Sequence, residues 1–261
     1  MEMNGGRWMR RRVIATVGLL LAGVFRTGGA QTPEERAAAR DLLAKRSDAV
    51  VMVLATVKIR MSTGGHEQTG DQPVEVNATV LDATGVAVAS LSTLQPESMM
   101  ARMAQRSGMA AQPQMSSELT DLRIRLADGR EVPAQIVLRD PDLDLVFLRP
   151  TEPAATPMPS MSGPSGKPST MDLVIGLRRT NEATGWRPAA SFGYVQIVIE
   201  RPRTYYLVTG GNALGSPLFD TSGRFVGVTV MRNAGGRAGP SASVLTADEI
   251  REMVKQVPGK S

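Results

Sequence analysis

Apolar and polar residues alternate most clearly over 120–138. Ile124 and Leu126 alternate with Arg123 and Arg125, and Val132, Ala134, Ile136 and Leu138 alternate with polar or small neighbours. Asp128-Gly129, between the two runs, offers the positive φ of a tight turn, so the pattern predicts a β-hairpin. Further strands are predicted over 49–61, 190–200 and 204–209. Two segments carry helical signals instead. Thr32 can cap a helix whose first position is Pro33, with Glu35 completing a capping box, and Ala37, Ala38, Leu42 and Leu43 continue it to Arg46. Near the end, Thr246 can cap a helix over 245–257, with Asp248 and Glu249 in its first turn and Ile250 and Val254 on one face. Residues 151–170 are rich in Pro, Ser and Gly and show little periodicity. They divide the chain into a first unit, 31–150, and a second, 171–261.

The first thirty residues stand apart. Arg7, Arg10, Arg11 and Arg12 precede an apolar run from Val13 to Phe25, and Gly28-Gly29-Ala30 supplies small residues before Gln31. The run is short for a bilayer span, so 1–30 reads as a cleaved export signal, and no stable membrane span is expected once it is removed. The expected location is periplasmic or secreted.

Cleavage also changes the charge. The whole chain is +5, but residues 1–30 hold five arginines and one glutamate, so +4 leaves with them and +1 remains. That balance gives no support to nucleic-acid binding. Cys is 0, which removes disulfides and thiolate metal sites, and no metal or cofactor is expected. Aromatic residues are only 4%, so Val, Leu, Ile, Met and Ala must fill the core.

The candidate chemistry lies in three short motifs. Gly211-Asn212-Ala213-Leu214-Gly215-Ser216-Pro217-Leu218 resembles the nucleophile loop G-[DN]-S-G-G-P-L of the trypsin-like (chymotrypsin-fold) serine proteases. Leu214 or Ala213 stands where the serine belongs, depending on which end is aligned, and neither has a nucleophilic atom. Gly85 to Leu94 resembles the strand that ends in the family's catalytic histidine, and Ser92 takes the histidine's place. The chain has 1 His, His66, about twenty residues too early and in a Gly-rich turn. Asp140 to Leu148 resembles the aspartate strand of the HtrA/Deg branch, with Asp144 on the residue that orients the histidine there. The hairpin before it and the strand-turn-strand at 219–230 also have counterparts in the family, in the same order.

The resemblance implies an all-β fold of two antiparallel six-stranded barrels with short N- and C-terminal helices, without the peptide-binding PDZ module often fused in this branch. The triad-equivalent positions are then Ser92, Asp144 and Leu214, with Asn212, Ala213, Gly215 and Ser216 as loop neighbours and no intact catalytic set. For Asp144 the expected role is structural, as an acceptor of backbone N–H bonds or of a bond from the Ser92 hydroxyl. Residues 95–119 depart from the family as a Met-rich insertion, carrying Met99, Met100, Met103, Met109 and Met115. The expectation there is a loop with one short helix; sharper readings are a surface that grips partners or thioethers that bind Cu(I).

The function implied is that of a non-catalytic pseudoprotease that binds a peptide or protein. The alternatives are an active endopeptidase with a rearranged site, using Ser92 or Ser216, and a structural subunit of an envelope complex. Oligomeric state is not legible from the sequence.

Overall fold

The computed structural model describes residues 31–63, 66–95, 114–210, 212–233 and 240–259. Helix α1 (Pro33–Arg46) leads through a short 3-10 turn into two closed antiparallel barrels of six strands each. The first holds β1 (Val50–Thr63), β2 (His66–Val80), β3 (Ala87–Ser90), β4 (Gln114–Arg125), β5 (Glu131–Asp140) and β6 (Leu145–Pro150), in the order β1-β2-β3-β6-β5-β4. A short helix, α2 (Leu91–Leu94), follows β3. The second holds β7 (Leu173–Arg179), β8 (Pro188–Ile199), β9 (Tyr205–Val208), β10 (Pro217–Asp220), β11 (Phe225–Asn233) and β12 (Pro240–Thr246), in the order β10-β11-β12-β9-β8-β7. The chain then enters α3 (Ala247–Val254), where Thr246 accepts the Glu249 N–H as a cap.

Strands β3, β6 and β10 are buried on both faces, which explains their unbroken apolar runs. In β6, Val146 and Leu148 fill the first barrel with Val51, Val53, Ala78, Ala89 and Ile124. Leu145 and Phe147 face the other way, into a core between the barrels with Ile175, Phe219, Val228, Val230 and Leu245. Leu42 of α1 and Ile250 of α3 close that same core. A strand with two buried faces has no polar side to show, so period-two patterning disappears there. The segment at 151–170 is tied down rather than loose. Met158 and Met161 are buried and donate their N–H groups to Ala83 and Val80, while Gly166 donates to Phe225 in the second barrel.

Several elements differ from the sequence expectation. The strand predicted over 85–94 stops at Ser90, because Leu91 and Ser92 donate their N–H groups to Asp144 rather than to a neighbouring strand. Within the predicted insertion 95–119, residues 114–119 are strand: β4 pairs with β1 as far out as Gln114 opposite Ser62. Cross-strand backbone bonds thus order a segment that lacks strong local strand signals. Residues 96–113 lie outside the described residues. The helix predicted over 245–257 is shorter, since Leu245 and Thr246 still pair with β11. The hairpin turn spans 126–130, with Gly129 at φ +89° as its pattern required.

Asp220 closes the β10–β11 turn by accepting from Ser222 N and Oγ and from Arg224 N and Nε. Burial opposes its ionisation, but the Ser222 and Arg224 bonds outweigh it and hold the carboxyl below the usual carboxylate range. A depressed folded value stabilises the protein above the unfolded value of about 4 and is lost as pH falls through the folded one. Asp220→Asn should therefore lower the melting temperature at neutral pH and flatten its fall below about pH 4. Melting curves recorded between neutral and acid pH check this.

Candidate functional site

Asp144 sits where the two barrels meet. Asp140, at the end of β5, starts the local turn by accepting from the Asp142 and Leu143 N–H groups, 3.0 Å each. The turn leaves Asp144 at φ +59°, a left-handed conformation that aspartate tolerates better than most residues. Its side chain, 6% exposed, faces the end of β3. Oδ1 accepts the Ser92 N–H at 2.7 Å, and Oδ2 accepts the Ser90 hydroxyl at 2.5 Å. Oδ2 also accepts the N–H of Met231, 2.7 Å away on β11 of the second barrel. The Asp144 carbonyl takes the Leu91 N–H at 2.9 Å. Ser92 lies on α2, its hydroxyl 3.1 Å from that of Ser90. Ser92 and Asp144 are thus in direct contact, through the serine's backbone rather than its hydroxyl.

The 212–216 loop approaches the same seam. Gly215, at φ +81°, lies so close to β2 that a Cβ there would stand 2.0 Å from the Asn77 carbonyl oxygen and 3.4 Å from Ala89 Cα. Only glycine fits, on both conformational and contact grounds. The Gly215 carbonyl accepts the Thr79 hydroxyl at 2.8 Å, which ties the loop to the first barrel. Three of the loop's N–H groups have acceptors. Gly215 donates to the Thr229 carbonyl, Ser216 to Ala213 and Asn212 to Gly210. The Asn212 side chain donates to Thr229 Oγ1 at 2.9 Å.

These contacts limit the chemistry. An oxyanion hole needs free backbone N–H groups converging on one point, and those of Gly215 and Ser216 already have acceptors. Leu214 and Ala213 carry no nucleophile. Ser216 is fully buried, and its Oγ has no hydrogen-bond partner, so it meets neither substrate nor base. His66 opens β2 opposite Thr63, whereas Ala78, on the same strand, pairs with Ala89 beside Ser90. About twelve residues of strand, roughly 40 Å along its path, separate the histidine from this end of the barrel. Among the described residues, no group of three His, Cys, Asp or Glu side chains could hold a metal ion.

Three contributors escaped the motif reading: Ser90, the Met231 N–H and Thr79. Thr79 did leave a signal, since it and Asn77 interrupt an apolar strand on the face opposite Ala78 and Val80. Asn77 exchanges two bonds with the Arg179 backbone of the second barrel, at 3.1 and 2.7 Å. Nothing in the sequence pointed to Met231, whose contribution is a backbone group.

The family model for the trypsin-like peptidase domain matches residues 107–228, just under half of the chain, including Asp144 and the 212–216 loop. Solved structures agree on the architecture. The chain is similar to the HtrA-type protease AlgW with a decapeptide, at TM-score 0.54 and 14% identity. That match covers 84% of this chain and 66% of the other. A structure of AlgW with a tripeptide matches at TM-score 0.52 and 16% identity, over 84% of this chain and 62% of that one. The fold is that of the trypsin-like serine proteases. This trypsin-like chain spans a little under two thirds of the AlgW chains it matches. No curated protein sequence matches it.

The Asp144 contacts carry a stability prediction. Asp144→Ala strands two backbone N–H groups and one hydroxyl, at about 1–3 kcal/mol for each buried donor left unpaired. Asp144→Asn keeps one oxygen acceptor, and asparagine also tolerates positive φ, so it should cost about half as much or less. Urea unfolding of the two variants checks the order; equal losses would show that the acceptor oxygens are not what matters.

Proposed function

We propose that this chain is an exported, non-catalytic member of the trypsin-like fold that binds a peptide or protein at the seam between its barrels. One observation carries the reading. The carboxylate that would orient a catalytic histidine is held by Ser90, Ser92 and the Met231 N–H, with no imidazole among its partners. A triad aspartate acts only through its histidine. Here the same oxygens join the barrels. The nucleophile position supports the same conclusion, because Leu214 replaces the serine and Ser216 is sealed from solvent.

Binding without cleavage suits a scaffold that keeps its seam and loses its reacting atoms. AlgW, the similar solved protease, has been seen with a decapeptide and with a tripeptide. Peptide recognition by backbone edges and shallow pockets needs no nucleophile. The basic and apolar pattern of residues 1–30 supports export, to the periplasm or beyond the cell. Among the described residues no helix is long and apolar enough to cross a membrane.

The test uses the purified protein without residues 1–30, a fluorophosphonate probe and denatured casein. The expected result is no covalent labelling, and casein that co-elutes with the protein and is recovered intact. Casein cleavage that disappears in Ser92→Ala or Ser216→Ala would overturn the non-catalytic reading. Failure to retain casein or any of its tryptic peptides would overturn the binding reading.

A further inference from the structure

Barrel one carries a cavity that has no part in the seam. Its volume is about 450 Å³, and it lies between the β4–β5 turn and the segment that leaves β6. Asp144 precedes the start of β6 and Pro150 ends it, so about 20 Å of strand separates the cavity from the seam. The volume falls within the range of small-molecule sites, roughly 300–1,000 Å³.

The wall is unusually stiff. Pro133, Pro150, Pro153, Pro157 and Pro159 all line it. Each has its φ locked, so little conformational freedom is lost when a ligand settles against them. Met158 also lines it, and this side chain is 7% exposed and packed into the barrel core. Its N–H is fixed on the Ala83 carbonyl at 3.0 Å. Gly85 makes room for this seat. A Cβ on Gly85, at φ +88°, would stand 2.5 Å from Met158 Sδ and 3.1 Å from the Pro150 ring.

The rim is charged with one sign in excess. Asp48, Asp128 and Glu152 line the cavity, with Arg130 as the cation among the lining residues. Arg130 is already engaged, its Nε 2.7 Å from Asp128. The Arg130 backbone N–H, followed by its side chain, holds the Asp128 carboxyl below the usual carboxylate range. Asp48 lies 3.8 Å from Arg179, and that arginine's guanidinium spends its remaining donors on backbone carbonyls. With Arg130 against Asp128 and Arg179 against Asp48, the rim keeps a surplus of one negative charge, carried by Glu152, beside an apolar wall, which favours cationic amphiphiles over anionic ones.

We propose that this cavity binds a small amphiphilic amine, with its apolar body against Met158 and the prolines and its ammonium group among Asp48, Asp128 and Glu152. The site is separate from the seam, so it stands or falls independently of the pseudoprotease reading.

The probes are octylamine and octanoate, which share a tail and differ in charge. The readout is the Met158 methyl signal in protein labelled with ¹³C-methyl methionine, assigned with Met158→Leu. Octylamine should shift this signal saturably, leave the methyl of Met253 in α3 unmoved, and bind at least about tenfold more tightly than octanoate. The double variant Asp48→Asn/Glu152→Gln should weaken octylamine by about three- to tenfold, the scale of two exposed charge contacts. Ala155→Trp, which fills the cavity from an exposed lining position, should abolish the shift while the melting temperature holds. An unmoved Met158 signal, equal affinity for octanoate, or unchanged binding in the double variant would each overturn the proposal.

Discussion

A single buried carboxylate joins the two halves of this molecule. Asp144 accepts from Ser90 and Ser92 on one barrel and from the Met231 N–H on the other. Three donors on two oxygens repay the desolvation of the group, which unpaired would cost several kcal/mol. The same bonds shape the local chain. They stop β3 at Ser90, start α2 and hold Asp144 itself in a left-handed conformation. Strain of that kind persists only where surrounding bonds over-determine it.

Around this point the barrels also touch through glycine, amide and the Arg179 guanidinium, which donates to the Val50 and Ser47 carbonyls. Gly215 brings its loop into backbone contact with Asn77 and Ala89, closer than any side chain allows. Asn77 grips the Arg179 backbone from the other direction, and Thr79 holds the Gly215 carbonyl. Both barrels then contribute alternate strand faces to one apolar core, which α1 and α3 cover. At this seam the polar groups of Ser90, Ser92, Asp144 and the Met231 N–H bond to one another.

The cavity under Met158 illustrates a different balance. Its walls come from the connection between barrels, a segment whose proline content reads as a spacer. Packed against β4, β5 and β6, the same prolines become a rigid surface. Their restricted φ serves either outcome, and the burial of Met158 and Met161 decides between them.

Individual strands, turns and caps were legible because alternation and turn residues are local properties, while the two barrels were read from the resemblance to the trypsin-like family. Asp128-Gly129 marks a turn and Thr246 a cap, each by residues adjacent in sequence. The proposal that serine and histidine are lost rests on the sequence as well, since Leu214 and Ser92 differ from the resembled trypsin-like motif in residue type alone. The length of β4 was not legible, because Gln114 to Leu119 are held in line by β1 across more than fifty residues of chain. Nor were the partners of Asp144 or the burial of Ser216, which depend on a backbone N–H and a close approach from the other barrel. Local sequence determined most of the strands, turns and caps. Only the tertiary structure decided what the remaining polar groups bond to, because hydrogen bonds and burial are set by neighbours in space.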